Sequence, residues 1–393
     1  MQTTLSSNST RRRALIIGGS LGGLFAGTML RSIGWDVDIY ERSEHDLDSR
    51  GGGIVLQPDV VEVFRRAGLK LNRDEMGVRS GYRTVFRPDG STQSKQFLPQ
   101  TQTSWSLIYS TLKEAFGDAR YHSGKRLARI EQDTEASSVT AFFDDGSAEI
   151  GDLLIGADGG NSTVRSLIWP QVQPSYAGYL AWRGLVPEED MPHSARADLH
   201  GDFGFANNKG SHILGYLVPG EGNDMRPGHR FYNWVWYRVA NDDQLQQIMT
   251  DRDGLQRGYS IPEGKLADAW VKHLRADAAN LLPPPFREVV EATDQPFAQA
   301  IRDLASDEMV KGRVLILGDA ASIPRPHTAA STSKAAANAI ALADELDATP
   351  DDITAALAQW ELPQVMYGKY LEKQGTEAGN YLLFHSLLGS AVG

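Results

Sequence analysis

Three short motifs that combine glycines with a carboxylate are spread along this chain of 393 residues. The first is Gly18-x-Ser20-x-x-Gly23, with Glu41 further on. Gly18 permits a tight turn, Gly23 lets a helix pack closely on a strand, and the helix N-terminus offers N–H groups and a positive dipole end. Glu41 has a carboxylate that accepts hydrogen bonds from a ribose. The motif therefore predicts a pyrophosphate and ribose site, and an ordinary glycine turn is the alternative.

Two later motifs place a carboxylate directly after an apolar strand. Asp158-Gly159 follows a predicted strand over 147–155, and Gly318-Asp319 follows a run of Val, Leu and Ile. Open α/β sheets bind ligands at the carboxyl ends of their strands, so all three motifs are expected at one edge. Asp319 is predicted to hold a ribityl hydroxyl, and a helix predicted over 332–346 points its positive end at a flavin ring. Taken in this order, the motifs predict a bound FAD.

The elements that position these motifs follow from the hydrophobic pattern. An apolar strand over 14–17, a helix over 24–33 and a strand over 36–40 make a strand-helix-strand unit of the ~30 residues that nucleotide binding needs. Clusters of glycine, asparagine and proline then separate β-rich segments, which predicts an antiparallel sheet. Its strands are expected over 179–186, 198–205, 212–218 and 230–239. Helices are predicted over 264–281 and 284–292 and from Asp351 onward.

The predicted fold class is therefore α/β, with a Rossmann-like FAD-binding domain, an interleaved antiparallel-sheet substrate domain and C-terminal helices. The FAD-binding domain is predicted to be discontinuous, over 11–80, 104–172 and 296–346. The substrate domain is predicted over 81–103 and 173–295, and the C-terminal helical segment over 347–393.

Motifs along nearly the whole chain carry a resemblance to a known family. They are Gly18-Gly-Ser20, Gly53-Ile-Val-Leu-Gln57-Pro58, Tyr176-Ala-Gly-Tyr-Leu-Ala-Trp182-Arg183-Gly184, Trp234-x-Trp236 and Gly318-Asp-Ala-Ala-x-x-Pro324-Arg-Pro326-His327. On these residues the chain resembles the single-component FAD-dependent aromatic hydroxylases, the group of p-hydroxybenzoate hydroxylase. One departure is that Ala329-Ala330-Ser331-Thr332 stands where the family usually has a glycine pair beside the isoalloxazine.

The resemblance implies a monooxygenase. In this family NADH or NADPH reduces the FAD and leaves, O2 is captured as a flavin hydroperoxide, and the distal oxygen hydroxylates an electron-rich ring. The cofactor supplies the hard chemistry, while the protein positions the ring, helps to deprotonate a ring hydroxyl and keeps water away. The resemblance implies a hydroxypyridine as substrate and FAD as cofactor, with NADH or NADPH as a transient reductant. A homodimer is a further expectation.

The same resemblance assigns cofactor-binding residues. Besides Gly18 and Gly23, the expected adenosine and pyrophosphate contacts are Ser20, Leu21, Glu41, Arg42 and Leu127. Expected around the riboflavin half are Gly52, Asp158, Asp319, Ala329, Ala330, Ser331 and Thr332.

Candidate catalytic residues are His212 and Tyr216, which lie four apart on one predicted strand and therefore on the same face. Histidine titrates near neutral pH, which suits the movement of a phenolic proton; the alternative is that both residues are simply packed. Arg183 is predicted to steer an anionic substrate, and His327 to lie beside the flavin turn. Trp236 is predicted either to stack on a planar substrate or to fill the core.

Composition limits the possible partners. A net charge of −11 is unfavourable for binding nucleic acid or an anionic membrane, because phosphates require a basic face. The sequence has no cysteine, which excludes disulfides, thiolate zinc sites and a cysteine-linked flavin, and fits the reducing cytoplasm. The sequence shows no histidine cluster with metal-ligand spacing and no transmembrane candidate.

Other functions share parts of these patterns. Trp234-Val-Trp236 half-resembles the Trp-x-Trp-x-Ile-Pro motif of flavin-dependent halogenases, although Tyr237-Arg-Val239 follows it here. A flavin-dependent oxidase would use the same cofactor site. A third alternative is a binding protein that keeps the fold and lacks the flavin.

Overall fold

The computed structural model describes residues 11–45, 47, 52–69, 75–133, 135 and 137–385. In chain order the strands are β1 (Arg13–Ile17), β2 (Asp36–Tyr40), β3 (Gly53–Val55), β4 (Val78–Phe86), β5 (Thr92–Ser104), β6 (Tyr121–His122), β7 (Leu127–Asp133), β8 (Ser138–Phe143), β9 (Ala148–Gly151), β10 (Leu153–Gly156), β11 (Ser175–Pro187), β12 (Asp202–Asn208), β13 (Ser211–Val218), β14 (Phe231–Val239), β15 (Ser260–Ile261), β16 (Phe297–Ala305), β17 (Val310–Lys311), β18 (Val314–Ile316) and β19 (Ser322–Ile323). The α-helices are α1 (Leu21–Ser32), α2 (Pro58–Arg66), α3 (Trp105–Phe116), α4 (Thr163–Ile168), α5 (His193–Leu199), α6 (Asp242–Ile248), α7 (Asp268–Leu281), α8 (Pro284–Glu291), α9 (Ser331–Ala348) and α10 (Ile353–Leu383).

The first sheet is parallel apart from its edge strand β17, and its strand order is β17-β18-β10-β1-β2-β6. The central strand β1 is buried from Ala14 to Ile17, as expected of a parallel strand covered on both faces. Ile17 lies opposite Tyr40 on β2 and Gly156 on β10, so these strands end at the same level. The turns that follow β1, β10 and β18 therefore meet at one edge. This arrangement confirms the predicted Rossmann-like α/β fold.

The second sheet is antiparallel except where β12 pairs with β4, and its order is β15-β16-β11-β14-β13-β12-β4-β5-β3. Helices α7 and α8 cover one face, where Trp234, Trp236 and Phe286 share a core. The opposite face carries His212 and Tyr237. The predicted antiparallel sheet is thus confirmed, and it forms a wall with one apolar face and one face bearing polar side chains.

Several boundaries predicted from the sequence are wrong; the helix predicted from residue 264, for example, begins at Asp268. The single strand expected over 147–155 is two strands, because β9 belongs to a separate sheet, β7-β8-β9, whereas β10 joins the parallel sheet. The carboxylate of Asp152, between them, accepts a hydrogen bond from the Arg13 N–H at 2.7 Å and marks the break. The strand expected from residue 198 begins only at Asp202, because residues up to Leu199 complete α5.

Helix α10 is 31 residues long and contacts β16, β19 and the turn Pro326–Thr328. A Cβ atom at Gly375 would lie 2.8 Å from the Arg325 nitrogen, and one at Gly379 would lie 2.7 Å from the Tyr179 hydroxyl oxygen. The missing side chains let the helix backbone rest directly on these residues. None of the described helices has both the length and the apolar character needed to cross a membrane.

Candidate active site

The turn after β1 joins the strand to α1 with very little space. Gly18 has a φ of 106°, which favours glycine, and its N–H donates to the Tyr40 carbonyl at 2.9 Å. A Cβ atom at Gly23 would lie 1.9 Å from the Gly18 carbonyl oxygen. Ser20 is the N-cap of α1, but its side chain makes no capping hydrogen bond. The first N–H groups of α1 are therefore available to an anionic ligand.

Glu41 lies beside this turn and is buried. Its Oε2 accepts from the Gly19 N–H at 2.7 Å, and its Oε1 accepts from the Ser43 N–H at 2.9 Å. Each carboxylate oxygen retains a second lone pair for a ribose hydroxyl. The other residues predicted on this side are Leu21, which is buried, Arg42, which is exposed, and Leu127, which is buried at the start of β7.

Asp158 follows β10 and caps the N-terminus of α4. Its carboxylate accepts from the N–H groups of Thr163 at 2.6 Å and Val164 at 3.1 Å, and from the Ser162 hydroxyl. Burial nevertheless raises the pKa of Asp158 above its usual value. Arg165, on α4, donates to the carbonyls of Gly160 at 2.8 Å and Ala320 at 2.9 Å. The second and third motifs are therefore held together by one buried guanidinium.

Asp319 lies in the short turn after β18. Its Oδ1 accepts from the Ser331 hydroxyl at 2.6 Å and is 3.6 Å from the Lys334 ammonium. Lys334 is buried and donates to the Gly318 carbonyl at 2.8 Å and the Ser322 hydroxyl at 3.0 Å. Burial lowers the pKa of Lys334 to about 8, and Asp319 opposes that change. The turn that bears Asp319 is thus tied to the first two turns of α9.

The turn before α9 takes a left-handed conformation without a glycine. Ala329 has φ 52° and ψ 24°, and Ala330 is the N-cap of α9 without a side-chain capping bond. Ser331 and Thr332 form the first turn of the helix. The backbone shape that glycine would give is therefore present, and the positive end of α9 is open to a ligand.

These features fit FAD. Two helix N-termini without side-chain caps serve this edge: that of α1 follows β1, and that of α9 lies beside Asp319 in the turn after β18. Such N-termini bind anionic groups, and the Glu41 and Asp319 carboxylates provide acceptors for ribose and ribityl hydroxyls. The contact of each predicted residue with FAD stays a prediction.

A cluster of aromatic and histidine side chains lies on the wall sheet opposite α7 and α8. The rings of His212 and Tyr237 are stacked, with centroids 5.9 Å apart and an angle of 8°. His327 reaches this cluster from the turn after β19: its ring centroid is 4.7 Å from that of Tyr237 and 6.0 Å from that of His212. Its Nε2 lies 2.8 Å from the Tyr179 hydroxyl. The structure thus brings together His212 and His327, which are far apart in the sequence.

Burial keeps the two histidines uncharged at neutral pH. It lowers the pKa of His212 to about 4. Burial, with repulsion from Arg325 and from a protonated His212, lowers the pKa of His327 to about 3. Burial also raises the pKa of Tyr237 to about 12 and raises the pKa of Tyr216. A neutral imidazole has one unprotonated ring nitrogen that can accept a hydrogen bond or a proton, and the lowered pKa values make both histidines weaker bases than an ordinary histidine.

Unpaired polar atoms lie on the same face. Arg183 donates from Nη1 to Gln299 Oε1 at 3.3 Å, yet its buried Nε has no hydrogen-bond partner among the described residues. Asn233 accepts from the Gly53 N–H at 3.2 Å, and its buried Nδ2 is likewise without a partner in the described part of the chain. Because buried polar atoms are nearly always satisfied, these two donors can pair with a polar ligand or with water.

Tyr216 and Gly52 lie close to these donors. A Cβ atom at Gly53 would lie 2.5 Å from the Tyr216 ring, and one at Gly52 would lie 2.9 Å from Nη2 of Arg183. The predicted residues Tyr216, Arg183 and Gly52 are therefore neighbours of one segment, the chain entering β3.

Trp236 is not brought to this cluster. It is fully buried on the opposite face of the wall, and its Nε1–H donates to the Ser211 hydroxyl at 2.6 Å. Trp234 is buried beside it and donates to the Thr293 hydroxyl at 2.8 Å. The prediction that Trp236 stacks on the substrate is corrected by this placement, because α7 and α8 cover that face. Its alternative, core filling, describes what the structure shows.

Sequence reasoning missed several residues on this face of the wall, namely Tyr179, Asn207, Asn233 and Tyr237, and it also missed Lys334 beside Asp319. Tyr237 lies opposite His212, and Asn233 opposite Tyr216, on the paired strand β14. The register of that hairpin is the signal that would have found them, because residues directly opposite share a face.

Comparisons with known proteins show the family to which this chain is similar. A family model described as FAD binding domain-like matches residues 176–303. The chain is 36% identical over 366 residues to 2,6-dihydroxypyridine 3-monooxygenase of Paenarthrobacter nicotinovorans, covering 93% of this chain and 90% of that protein. It is 27% identical over 362 residues to FAD-dependent urate hydroxylase of Klebsiella pneumoniae, covering 89% and 85%. The solved structure of 2,6-dihydroxypyridine-3-hydroxylase from Arthrobacter nicotinovorans aligns with a TM-score of 0.89 at 33% identity, covering 95% of this chain and 93% of that one.

Proposed function

Because the chain belongs to the single-component FAD-dependent aromatic hydroxylases, we propose that its substrate is a hydroxypyridine. The protein is an FAD-dependent monooxygenase that uses NADH or NADPH and O2. A relative named for 2,6-dihydroxypyridine, at 36% identity, supports the substrate class. The observation that carries the proposal is one face of the wall sheet, which bears the pair of His212 and His327 and the unpaired donors of Arg183 and Asn233. The halogenase, oxidase and flavin-free alternatives are not favoured.

When bound, FAD supplies the reducing equivalents from the nicotinamide and the activation of O2 for transfer of one oxygen atom. In this proposal the N–H groups of α1 hold the pyrophosphate and Glu41 holds the adenosine ribose. The N-terminus of α9 stabilises negative charge on the ring, and Asp319 holds the ribityl chain.

The substrate is proposed to lie against the polar face of the wall. His212 takes the proton of a ring hydroxyl, which leaves its electron pair on the oxygen and makes the neighbouring ring carbon a better nucleophile. Tyr216 lies four residues away on β13 and orients the substrate. Arg183 supports the negative charge that develops on the ring oxygens, since a guanidinium presents several N–H donors in a fixed, planar arrangement.

Aromatic rings around the cluster exclude water from it. Phe203 and Phe205 are stacked with centroids 4.3 Å apart, and Phe203 meets Tyr216 edge to face at 4.7 Å. A dry surrounding strengthens each electrostatic contact with the substrate and protects reactive intermediates from hydrolysis.

The test is the oxidation of NADH and of NADPH in air by the FAD-loaded protein, with and without 2,6-dihydroxypyridine. We expect the pyridine to stimulate the oxidation, and mass spectrometry to show a product heavier by one oxygen atom. Stimulated oxidation that yields only hydrogen peroxide would contradict the proposed substrate, as would the absence of stimulation.

The proposed role of His212 predicts that His212→Gln lowers the rate of product formation by roughly 100-fold or more. His193→Gln is the matched control, since His193 is exposed on α5. Equal rates for the two variants would remove His212 from the chemistry.

We further propose that the cofactor domain comprises 11–80, 104–172 and 296–346, with the substrate domain over 81–103 and 173–295 and the C-terminal helical segment over 347–393. Its support is that β1, β10 and β18 fall in the first three of these ranges in turn. The protein is also proposed to work as a homodimer. It is proposed to act in the cytoplasm, because its reductant, NADH or NADPH, is an intracellular metabolite. Light scattering in solution and cell fractionation test these two points.

A further inference from the structure

The side chain of Asn207 lies directly opposite His212 in the wall sheet. The two residues are register partners in the antiparallel pair β12 and β13. His212 Nδ1 and Asn207 Oδ1 are 2.5 Å apart. An amide oxygen has no proton and can only accept, so His212 Nδ1 must be the donor in this hydrogen bond.

This hydrogen bond decides which ring nitrogen of His212 is basic. A neutral imidazole carries a single N–H, and the partner of one nitrogen determines the state of the other. With the proton on Nδ1, Nε2 retains its lone pair. Among the described residues, the hydrogen bond of the His212 ring is the one made by Nδ1, which leaves Nε2 for the proposed substrate.

We propose that Asn207 is a positioning residue that holds His212 in the tautomer whose Nε2 accepts the hydroxyl proton of the substrate. This inference rests on the proposed function and adds to it a residue that makes the base competent. During the step, the substrate O–H bond breaks and its electron pair stays on the oxygen. The proton forms a bond to Nε2, and the resulting imidazolium keeps its Nδ1–H bonded to Asn207 Oδ1.

The neighbouring rings fix the plane of the His212 imidazole. A fixed ring keeps Nδ1 beside Asn207 and Nε2 on the opposite side. Tyr237 stacks on the ring at 8°, and Phe205 stacks at 27° with centroids 6.1 Å apart. A ring held in this way cannot easily turn to exchange the positions of its nitrogens. The stacked rings thus fix the position of Nε2, and the hydrogen bond to Asn207 keeps Nε2 unprotonated.

His327, by contrast, has no hydrogen-bond partner in the described part of the chain that can only accept. Its Nε2 is 2.8 Å from the Tyr179 hydroxyl, which can either donate or accept. The tautomer of His327 is therefore not decided by its partner. This asymmetry favours His212 over His327 as the proton acceptor.

The first experiment is 15N NMR of the FAD-loaded protein with labelled histidine at neutral pH, with His212→Gln to assign the signal. We expect an unprotonated shift for Nε2 and a protonated shift for Nδ1. A protonated Nε2 in the unmodified protein would overturn the inference, whether or not the protein hydroxylates any pyridine. This measurement needs no substrate, so its failure is distinct from failure of the proposed function.

The second experiment compares Asn207→Leu with Asn207→Asp. Leucine has a similar volume and no acceptor, whereas aspartate keeps an acceptor for the Nδ1–H. We expect Asn207→Leu to lower kcat for product formation by about tenfold or more with KM nearly unchanged, and Asn207→Asp to retain the kcat of the unmodified protein. The 15N shift of Nε2 should move to the value of a protonated nitrogen in Asn207→Leu and not in Asn207→Asp. Equal kcat losses in both variants, or an unchanged tautomer in Asn207→Leu, would overturn the proposal.

Discussion

Ala329 holds a backbone conformation that few residues other than glycine adopt. Its φ of 52° costs roughly 1–2 kcal/mol for an L-amino acid, because Cβ crowds the following carbonyl. The conformation persists because α9 must start directly after it, at Ser331. The energy is therefore stored at the turn where the family usually has glycine.

Replacement of this residue is predicted to stabilise the protein. Ala329→Gly should raise the free energy of unfolding by about 0.5–1 kcal/mol, since relief of the strain outweighs the entropy that glycine gains in the unfolded chain. Denaturant unfolding measures the change. Ala330→Gly is the matched control: Ala330 has a φ of −108°, so its replacement should destabilise by about 0.5–1 kcal/mol. A loss of stability in both variants would show that Ala329 is not strained.

The buried histidines predict a loss of stability in acid. The fold lowers their pKa values to about 4 for His212 and about 3 for His327, whereas an unfolded histidine has a pKa of about 6.5. Below pH ~6.5 the unfolded chain therefore binds more protons than the folded chain, so stability falls as pH falls towards those lowered values. Each histidine contributes a slope of about 1.4 kcal/mol per pH unit in this window.

Unfolding by denaturant at several pH values checks this slope. His327→Gln should remove the part of the pH dependence of unfolding free energy that His327 contributes below pH ~6.5. Its effect on the free energy of unfolding should therefore differ between acid and neutral pH. An unchanged slope in this variant would mean that His327 is protonated as easily in the fold as in the unfolded chain.

At the scale of the element, the N-terminus of α1 depends on one of two adjacent glycines. A Cβ atom at Gly23 would overlap the Gly18 carbonyl oxygen at 1.9 Å, whereas one at Gly22 would meet only ordinary contacts of 3.6 Å and longer. Gly23→Ala must therefore move the helix away from the strand and with it the N–H groups proposed to hold the pyrophosphate.

We expect Gly23→Ala to weaken FAD binding at least tenfold, while Gly22→Ala leaves the affinity nearly unchanged. Alanine at position 22 should also raise stability by up to about 1 kcal/mol, because glycine is a poor helix residue. Flavin fluorescence titration of the two apoproteins measures both affinities. Similar FAD affinities for the two variants would show that the turn before α1 does not contribute to FAD binding.

The elements were largely predictable because their patterns are local. The apolar run of β1 and the glycines after it predict a strand, a turn and a helix, and the structure has them. The break between β9 and β10 was missed because both halves are apolar enough to be read as one strand. They are separate because β9 pairs with β8, whereas β10 pairs with the distant strands β1 and β18.

The side-chain cluster was less predictable because it depends on pairing between distant segments. The four-residue spacing of His212 and Tyr216 indicates a shared face, but it does not tell which face meets the cofactor domain. The same ambiguity let Trp236 be assigned to the substrate, whereas α7 and α8 bury it. Asn207 could not be predicted for the same reason, since the register of β12 against β13 brings it to His212.

At the scale of the molecule, α10 presents an apolar stripe to solvent. Leu362, Met366 and Tyr370 recur every four residues, which places them on one helix face, and they are 67%, 58% and 58% exposed. Large side chains that are this exposed in a row are typical of an interface.

The proposed homodimer is expected to use this stripe. Leu362→Glu combined with Met366→Glu should convert a dimer into monomers, as measured by light scattering during size-exclusion chromatography. Leu255→Glu is the control, because Leu255 is 54% exposed outside α10. A monomeric unmodified protein, or a variant that stays dimeric, would exclude this surface.

The parallel sheet also sets the timing of cofactor capture during synthesis. Its centre pairs β1 with β10 and β10 with β18, so the strand that carries Asp319 emerges from the ribosome long after the strand that carries Gly18. At ~5–20 residues per second, this interval is roughly 15–60 s. Until then the β10 edge is unpaired and prone to association with other chains. A site that uses both Glu41 and Asp319 is therefore complete only after β18 and the turn that follows it have been synthesised.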